Sequence, residues 1–91
     1  MVRIELIPTL EHCIETTARQ EFSRSAAEYM KRGEEDGEFE ERIELLKMFL
    51  EASDFKKLRS ESEKHLTEGR TVKYILYKEK GKLKYEMRLE R

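Results

Sequence analysis

The sequence is poor in several residue types: its 91 residues include one cysteine, one proline, no tryptophan and no asparagine. A lone Cys13 cannot form a disulfide within the chain, and without asparagine there is no acceptor for N-linked glycosylation. No apolar run approaches the length of about 18 residues typical of a membrane-spanning helix, and the first residues lack the apolar segment of a signal peptide. We therefore expect a cytoplasmic protein with no membrane partner.

Charged residues, in contrast, make up 43% of the chain, although the formal net charge is only −1. Opposite charges that nearly cancel indicate an ion-paired, solvated surface. Heavy use of Glu, Lys and Arg with a single amide side chain, Gln20, is typical of hyperthermophile proteins, because desolvating a charge costs less at high temperature. The composition therefore predicts a thermophilic source.

The first third of the chain has the pattern of a strand followed by a long helix. Apolar residues alternate over residues 2–7 and predict a strand, which Pro8 ends. Thr9 is a candidate N-cap for a helix that begins at Leu10, because a hydroxyl at this position accepts a hydrogen bond from a free backbone N–H. Apolar spacing continues this helix to about Arg32.

Two further helices are predicted in the middle of the chain. An acidic connector with two glycines, residues 33–37, precedes a helix over residues 39–52. Asp54, together with the serine before it, can cap a third helix, and Gly69 is a natural residue to end it. Helices therefore occupy most of the chain between the first strand and residue 70.

The last 22 residues predict a β-hairpin. Strand-like runs over residues 71–78 and 82–89 are joined through Lys80 and Gly81, a possible two-residue turn. The resulting register pairs apolar residues on one face: Val72 with Leu89, Tyr74 with Met87, and Leu76 with Tyr85. The order β-α-α-α-β-β predicts one two-layer α+β domain over residues 1–91, with a three-stranded, mainly antiparallel sheet and helices on one of its faces.

The helix predicted over residues 39–52 suggests self-association. Its apolar residues span an arc of about 220°, whereas a helix packed on one side needs an apolar stripe of roughly 100° or a little more. A symmetric dimer would cover the remaining side, and we expect the association face to comprise Leu45, Met48, Phe49 and Ala52. The leading hypothesis is therefore a small non-enzymatic protein that acts by protein–protein association, as a homodimer or with another protein.

The hairpin suggests an alternative function. Residues 70–91 contain eight basic and three acidic side chains, with tyrosines between them. Basic residues neutralise phosphates and aromatic rings stack on bases, so this segment could bind nucleic acid or an acidic partner. The residues that would carry it are Lys73, Tyr77, Lys82, Lys84 and Arg88. The same lysines also fit a solvated strand whose charges prevent unwanted pairing.

Catalytic and metal-binding patterns are weak. His12 and Glu15 flank Cys13, and Glu61 lies four residues before His65, but neither group has a third ligand at the spacing of a zinc site. No glycine-rich phosphate loop is present. A small enzyme that uses the histidines or the cysteine remains a third hypothesis, and we predict no cofactor, no metal and no enzymatic activity.

Overall fold

The computed structural model describes residues 2–32 and 37–90. It confirms an α+β fold in which three helices lie on one side of a three-stranded antiparallel sheet. The elements follow the order β1 (Ile4–Leu6), α1 (Ile14–Arg32), α2 (Gly37–Ala52), α3 (Phe55–Thr67), β2 (Thr71–Glu79) and β3 (Lys82–Glu90). Most of the acidic connector predicted between the first two helices lies outside the described residues.

The sheet has the strand order β1-β2-β3, so the hairpin supplies both the central strand and one edge. All three predicted apolar pairs of the hairpin are confirmed. The turn residues Lys80 and Gly81 both have positive φ angles, 54° and 77°. Two successive positive φ angles are the mark of a type I′ turn, whose twist matches that of the strands it joins. Across the central strand, Ile4 of β1 lies opposite Leu76.

Helix α1 begins four residues later than the sequence predicted. The Thr9 hydroxyl accepts a hydrogen bond from the His12 N–H at 3.0 Å, while the Thr9 N–H donates to the His12 carbonyl at 2.8 Å. These two bonds close a local turn that competes with helix formation. The first helical turn instead starts after Cys13, whose carbonyl accepts the Thr17 N–H at 2.9 Å. Leu10, predicted to be helical, is consequently exposed in the connecting loop.

Helix α3 follows the sequence prediction at both ends. The Asp54 carboxylate accepts the Lys57 N–H at 3.3 Å, as an N-cap does. Gly69 lies just beyond the C-terminus with a φ of 85°, a conformation in which a side chain would be strained. These caps fix the length of α3 and place its Leu58 against the sheet.

The hydrophobic core lies between the helices and the sheet. Phe49 of α2 is at its centre, with its ring 5.4 Å from that of Phe55 and 5.8 Å from that of Tyr85, both in edge-on orientation. Tyr74 of the central strand donates its hydroxyl to the Leu58 carbonyl at 3.3 Å. The core therefore joins α2 and α3 to the hairpin.

Candidate association surface

The apolar arc of α2 is largely covered within one chain. Leu45 and Phe49 are buried in the core, Met48 is half-buried and Ala52 is exposed. The arc is wide because α2 contacts α1 on one side and the hairpin strands on another. The four residues predicted as an association face are therefore not presented together at the surface, and only Met48 and Ala52 remain accessible to a partner. The width of the apolar arc therefore does not call for a second subunit at α2.

The five residues of the predicted basic face do lie together. Side chains along paired strands alternate between the two faces of the sheet, and these five lie on the face away from the helices, which we call the open face. They are Lys73, Tyr77, Lys82, Lys84 and Arg88. Ile75 of the central strand lies on the same face and is only 4% exposed.

Acidic residues offset much of the positive charge on the open face. The Lys73 ammonium lies 3.9 Å from the Glu5 carboxylate and 3.5 Å from that of Glu90. The Arg88 guanidinium lies 3.6 Å from the Glu86 carboxylate. Exposed pairs of this kind contribute little stability, but they reduce the local positive potential. The open face is therefore a mixed-charge surface rather than a basic groove.

One side of the Tyr77 ring on the open face is already in contact with another side chain. The Arg3 guanidinium lies 5.6 Å from the centre of its ring, a cation–π contact that covers one side of the aromatic ring. A base could stack on Tyr77 from this side only if Arg3 moved away. This contact weakens the case for Tyr77 as a stacking platform.

The two edges of the sheet differ in length and protection. The outer edge of β1 spans only Ile4–Leu6, and Pro8 follows two residues later. The outer edge of β3 spans Lys82–Glu90, and its pairing with β2 continues without a bulge over nine successive residues. Short strands, prolines, bulges and charged side chains are common protections of a sheet edge. The edge at β1 is short and is followed by a proline, whereas β3 presents a long, regular edge that carries its charged side chains on the open face.

A row of partly exposed apolar side chains lines β3 on the helix side. We call these residues the β3 edge strip: Leu83, Tyr85, Met87 and Leu89. Tyr85 is 45% exposed and Leu89 is 42% exposed, although both point toward the helical layer. The helices therefore cover the middle of the sheet but not its β3 side.

The edge strip was not anticipated from the sequence, which placed Tyr85, Met87 and Leu89 on one face of the hairpin with their partners on β2. Only the strand order shows that β3 lies at an edge.

Of the residues considered for catalysis, His12 and Cys13 are adjacent just before α1, whereas His65 lies in the last turn of α3. His12 is exposed, and the His65 Nδ1 atom lies 3.0 Å from an Arg70 guanidinium nitrogen. Cys13 is half-buried, and hydrogen bonds from the Thr16 hydroxyl and backbone lower the pKa of its thiol. Within residues 2–32 and 37–90, no group of three or more His, Cys, Asp or Glu side chains could hold a metal ion. No helix in the same ranges has the length and apolarity to cross a membrane.

Comparisons with known proteins identify a family but no characterised relative. No curated protein and no solved structure matches the chain. The profile of an uncharacterised protein family, however, matches residues 1–88 and so spans the sheet and all three helices. The chain therefore belongs to this family.

Proposed function

We propose that this protein acts by association and forms a homodimer through the free edge of β3. The observation that carries this proposal is the combination of a nine-residue regular edge with a half-exposed apolar row beside it. Strand addition to such an edge supplies main-chain hydrogen bonds, while the adjacent side chains supply apolar contact and specificity. Both components are present on β3.

The turn determines which backbone groups of β3 are free. In a type I′ hairpin the residues that flank the turn, here Glu79 and Lys82, form a hydrogen-bonded pair. Antiparallel pairs then alternate along the strand, so even-numbered residues of β3 direct their N–H and C=O groups toward β2. The odd-numbered residues, which form the β3 edge strip, direct theirs outward. The same residues therefore offer backbone groups to a partner strand and apolar side chains to the helix side.

Replacing Leu89 by lysine tests this proposal. We expect the wild type to show about twice the mass of one 11.0 kDa chain by light scattering at micromolar concentration. Leu89→Lys should raise the dimer Kd at least about tenfold, because the two-fold symmetry places two charges in an apolar contact. Met30→Lys is the matched control: Met30 is 84% exposed on α1, and its replacement should leave the Kd unchanged. A wild-type monomer at the highest soluble concentration would rule out the homodimer.

Nucleic-acid binding by the open face is the second candidate, and it has less support because its cations have acidic neighbours. Titration of labelled single-stranded and duplex oligonucleotides at about 50 and 200 mM salt distinguishes the two. We expect that neither oligonucleotide shows the steeply salt-dependent binding that phosphate contacts produce. Salt-sensitive binding that is lost in the Lys82→Glu/Lys84→Glu variant would instead establish the open face as a phosphate-contacting surface.

A further inference from the structure

The proposed dimer leaves open how the two copies align, and the charge pattern of β3 favours one register. We propose that the β3 strands of two copies pair antiparallel about a two-fold axis at Met87, which joins two sheets into one of six strands. This inference rests on the proposed function. The partner of the β3 edge is then a second copy of this chain, and the residues that lie opposite one another are defined.

The register is self-complementary over residues 84–90. With Met87 opposite Met87 of the second copy, Lys84 lies opposite Glu90. In the same register Glu86 lies opposite Arg88, and the symmetry repeats both pairs. Directly opposed residues of an antiparallel pair share a face, so these charges all meet on the open face. Each cation of this segment on that face then lies opposite an anion.

Neighbouring registers lack this complementarity. An axis at Glu86 would oppose this carboxylate to its own copy and would place Lys84 opposite Arg88. An axis at Tyr85 would place Lys84 opposite Glu86 but Lys82 opposite Arg88, so that attractive and repulsive pairs would offset one another. A parallel arrangement in register would oppose every charge to itself. Like charges that are directly opposed destabilise a strand pair, so the axis at Met87 is favoured.

The apolar side of the interface also fits this axis. Tyr85 lies opposite Leu89 of the second copy, so the two most exposed members of the β3 edge strip cover one another. The Tyr85 ring already contacts Phe49 of α2, which joins this layer to the core of its own chain. The interface therefore continues an existing core.

The backbone geometry brings the opposed charges close together. Even-numbered residues of β3 bond to β2, so between the two copies they occupy the non-hydrogen-bonded pairs. Opposed Cα atoms are about 4.5 Å apart at such positions, compared with about 5.5 Å at hydrogen-bonded ones. The pairs of Lys84 with Glu90 and of Glu86 with Arg88 thus occupy the closer positions, where charge complementarity has the greatest effect.

Charge reversal tests the register in solution. Glu86→Arg and Arg88→Glu should each raise the dimer Kd about tenfold, because symmetry converts two attractive pairs into repulsive ones. The double variant Glu86→Arg/Arg88→Glu restores opposite charges and should return the Kd to within about threefold of the wild type. Lys82→Glu is the matched control, since it lies on the same face of β3 outside residues 84–90. Failure of the double variant to recover a dimer would overturn the register.

Cysteine cross-linking supplies an independent test. In a Cys13→Ser background, Met87→Cys should form a disulfide-linked dimer on mild oxidation, because the opposed Cα atoms lie about 5.5 Å apart, within the range of roughly 4.4 to 6.8 Å for disulfides. Glu86→Cys and Tyr85→Cys should not cross-link. A dimer that cross-links at either of these positions would overturn the register and leave the proposed function standing. A protein that remains a monomer by light scattering would overturn both.

Discussion

Replacing Phe49 by alanine is expected to lower the free energy of unfolding by about 3 to 5 kcal/mol. Phe49 is fully buried and its ring contacts those of Phe55 and Tyr85, so the substitution removes a large apolar volume and two aromatic contacts. Domains of this kind have a total stability of about 5 to 15 kcal/mol, so this one change would remove a large share of it. Partial collapse of α3 toward the cavity would place the result at the lower end.

Phe39→Ala is the matched control, because it makes the same change on the same helix at a half-buried position. The Phe39 ring contacts the Arg32 guanidinium at 5.3 Å rather than the core. We expect this control to cost less than about 1.5 kcal/mol. Urea unfolding followed by circular dichroism provides the measurement, at one fixed protein concentration, since dimerisation would make stability depend on concentration. Equal losses in the two variants would show that Phe49 is not the centre of the core.

The second large effect is a loss of stability at alkaline pH that depends on Tyr74. Burial raises the pKa of Tyr74 to about 12, and its side chain is only 1% exposed. In the unfolded chain a tyrosine ionises near a pKa of about 10. The folded state therefore holds the Tyr74 proton more tightly than the unfolded state does. This difference in proton affinity stabilises the fold fully below about pH 10, and about 2 to 3 kcal/mol of stability is lost as the pH rises toward 12.

Tyr74→Phe isolates this contribution, because it keeps the ring and removes the ionisable group. The variant should lose about 1 kcal/mol at neutral pH, since the hydroxyl no longer donates to the Leu58 carbonyl. Above pH 10 its stability should fall less steeply than that of the wild type. Tyr77→Phe controls for removal of a hydroxyl from the open face. Unfolding curves for wild type and Tyr74→Phe that stay parallel from pH 8 to about pH 12 would contradict the proposed role of burial.

The hairpin and the order of elements were predictable from the sequence because local signals determine them. The alternating pattern of residues 71–78 and 82–89 and the two-residue turn specify a register without knowledge of the rest of the fold. The same holds for α3, whose N-cap and terminal glycine are encoded within a few residues of its ends. Where neighbours in the sequence carry the information, the prediction and the structure agree, except at Thr9, where a competing local turn delays the start of α1 to Ile14.

Tertiary packing explains what the sequence did not predict. The wide apolar arc of α2 indicated a partner, but α1 and the hairpin already bury Leu45 and Phe49. The basic residues of the hairpin indicated a basic face, but Glu5 comes from β1, far away in the sequence, to lie beside Lys73. The free edge of β3 depends on strand order alone. Each of these features requires knowing which elements become neighbours.

The pairing of β1 with β2 has a consequence for how the protein is made on the ribosome. Ile4 pairs with Leu76, so β1 has no partner until all three helices and β2 have been synthesised. During that interval the apolar faces of the three helices lack the sheet that covers them. The hairpin can form as soon as it is released, because its contacts are local. Completion of the sheet, and with it burial of the core, must therefore wait until the hairpin has emerged.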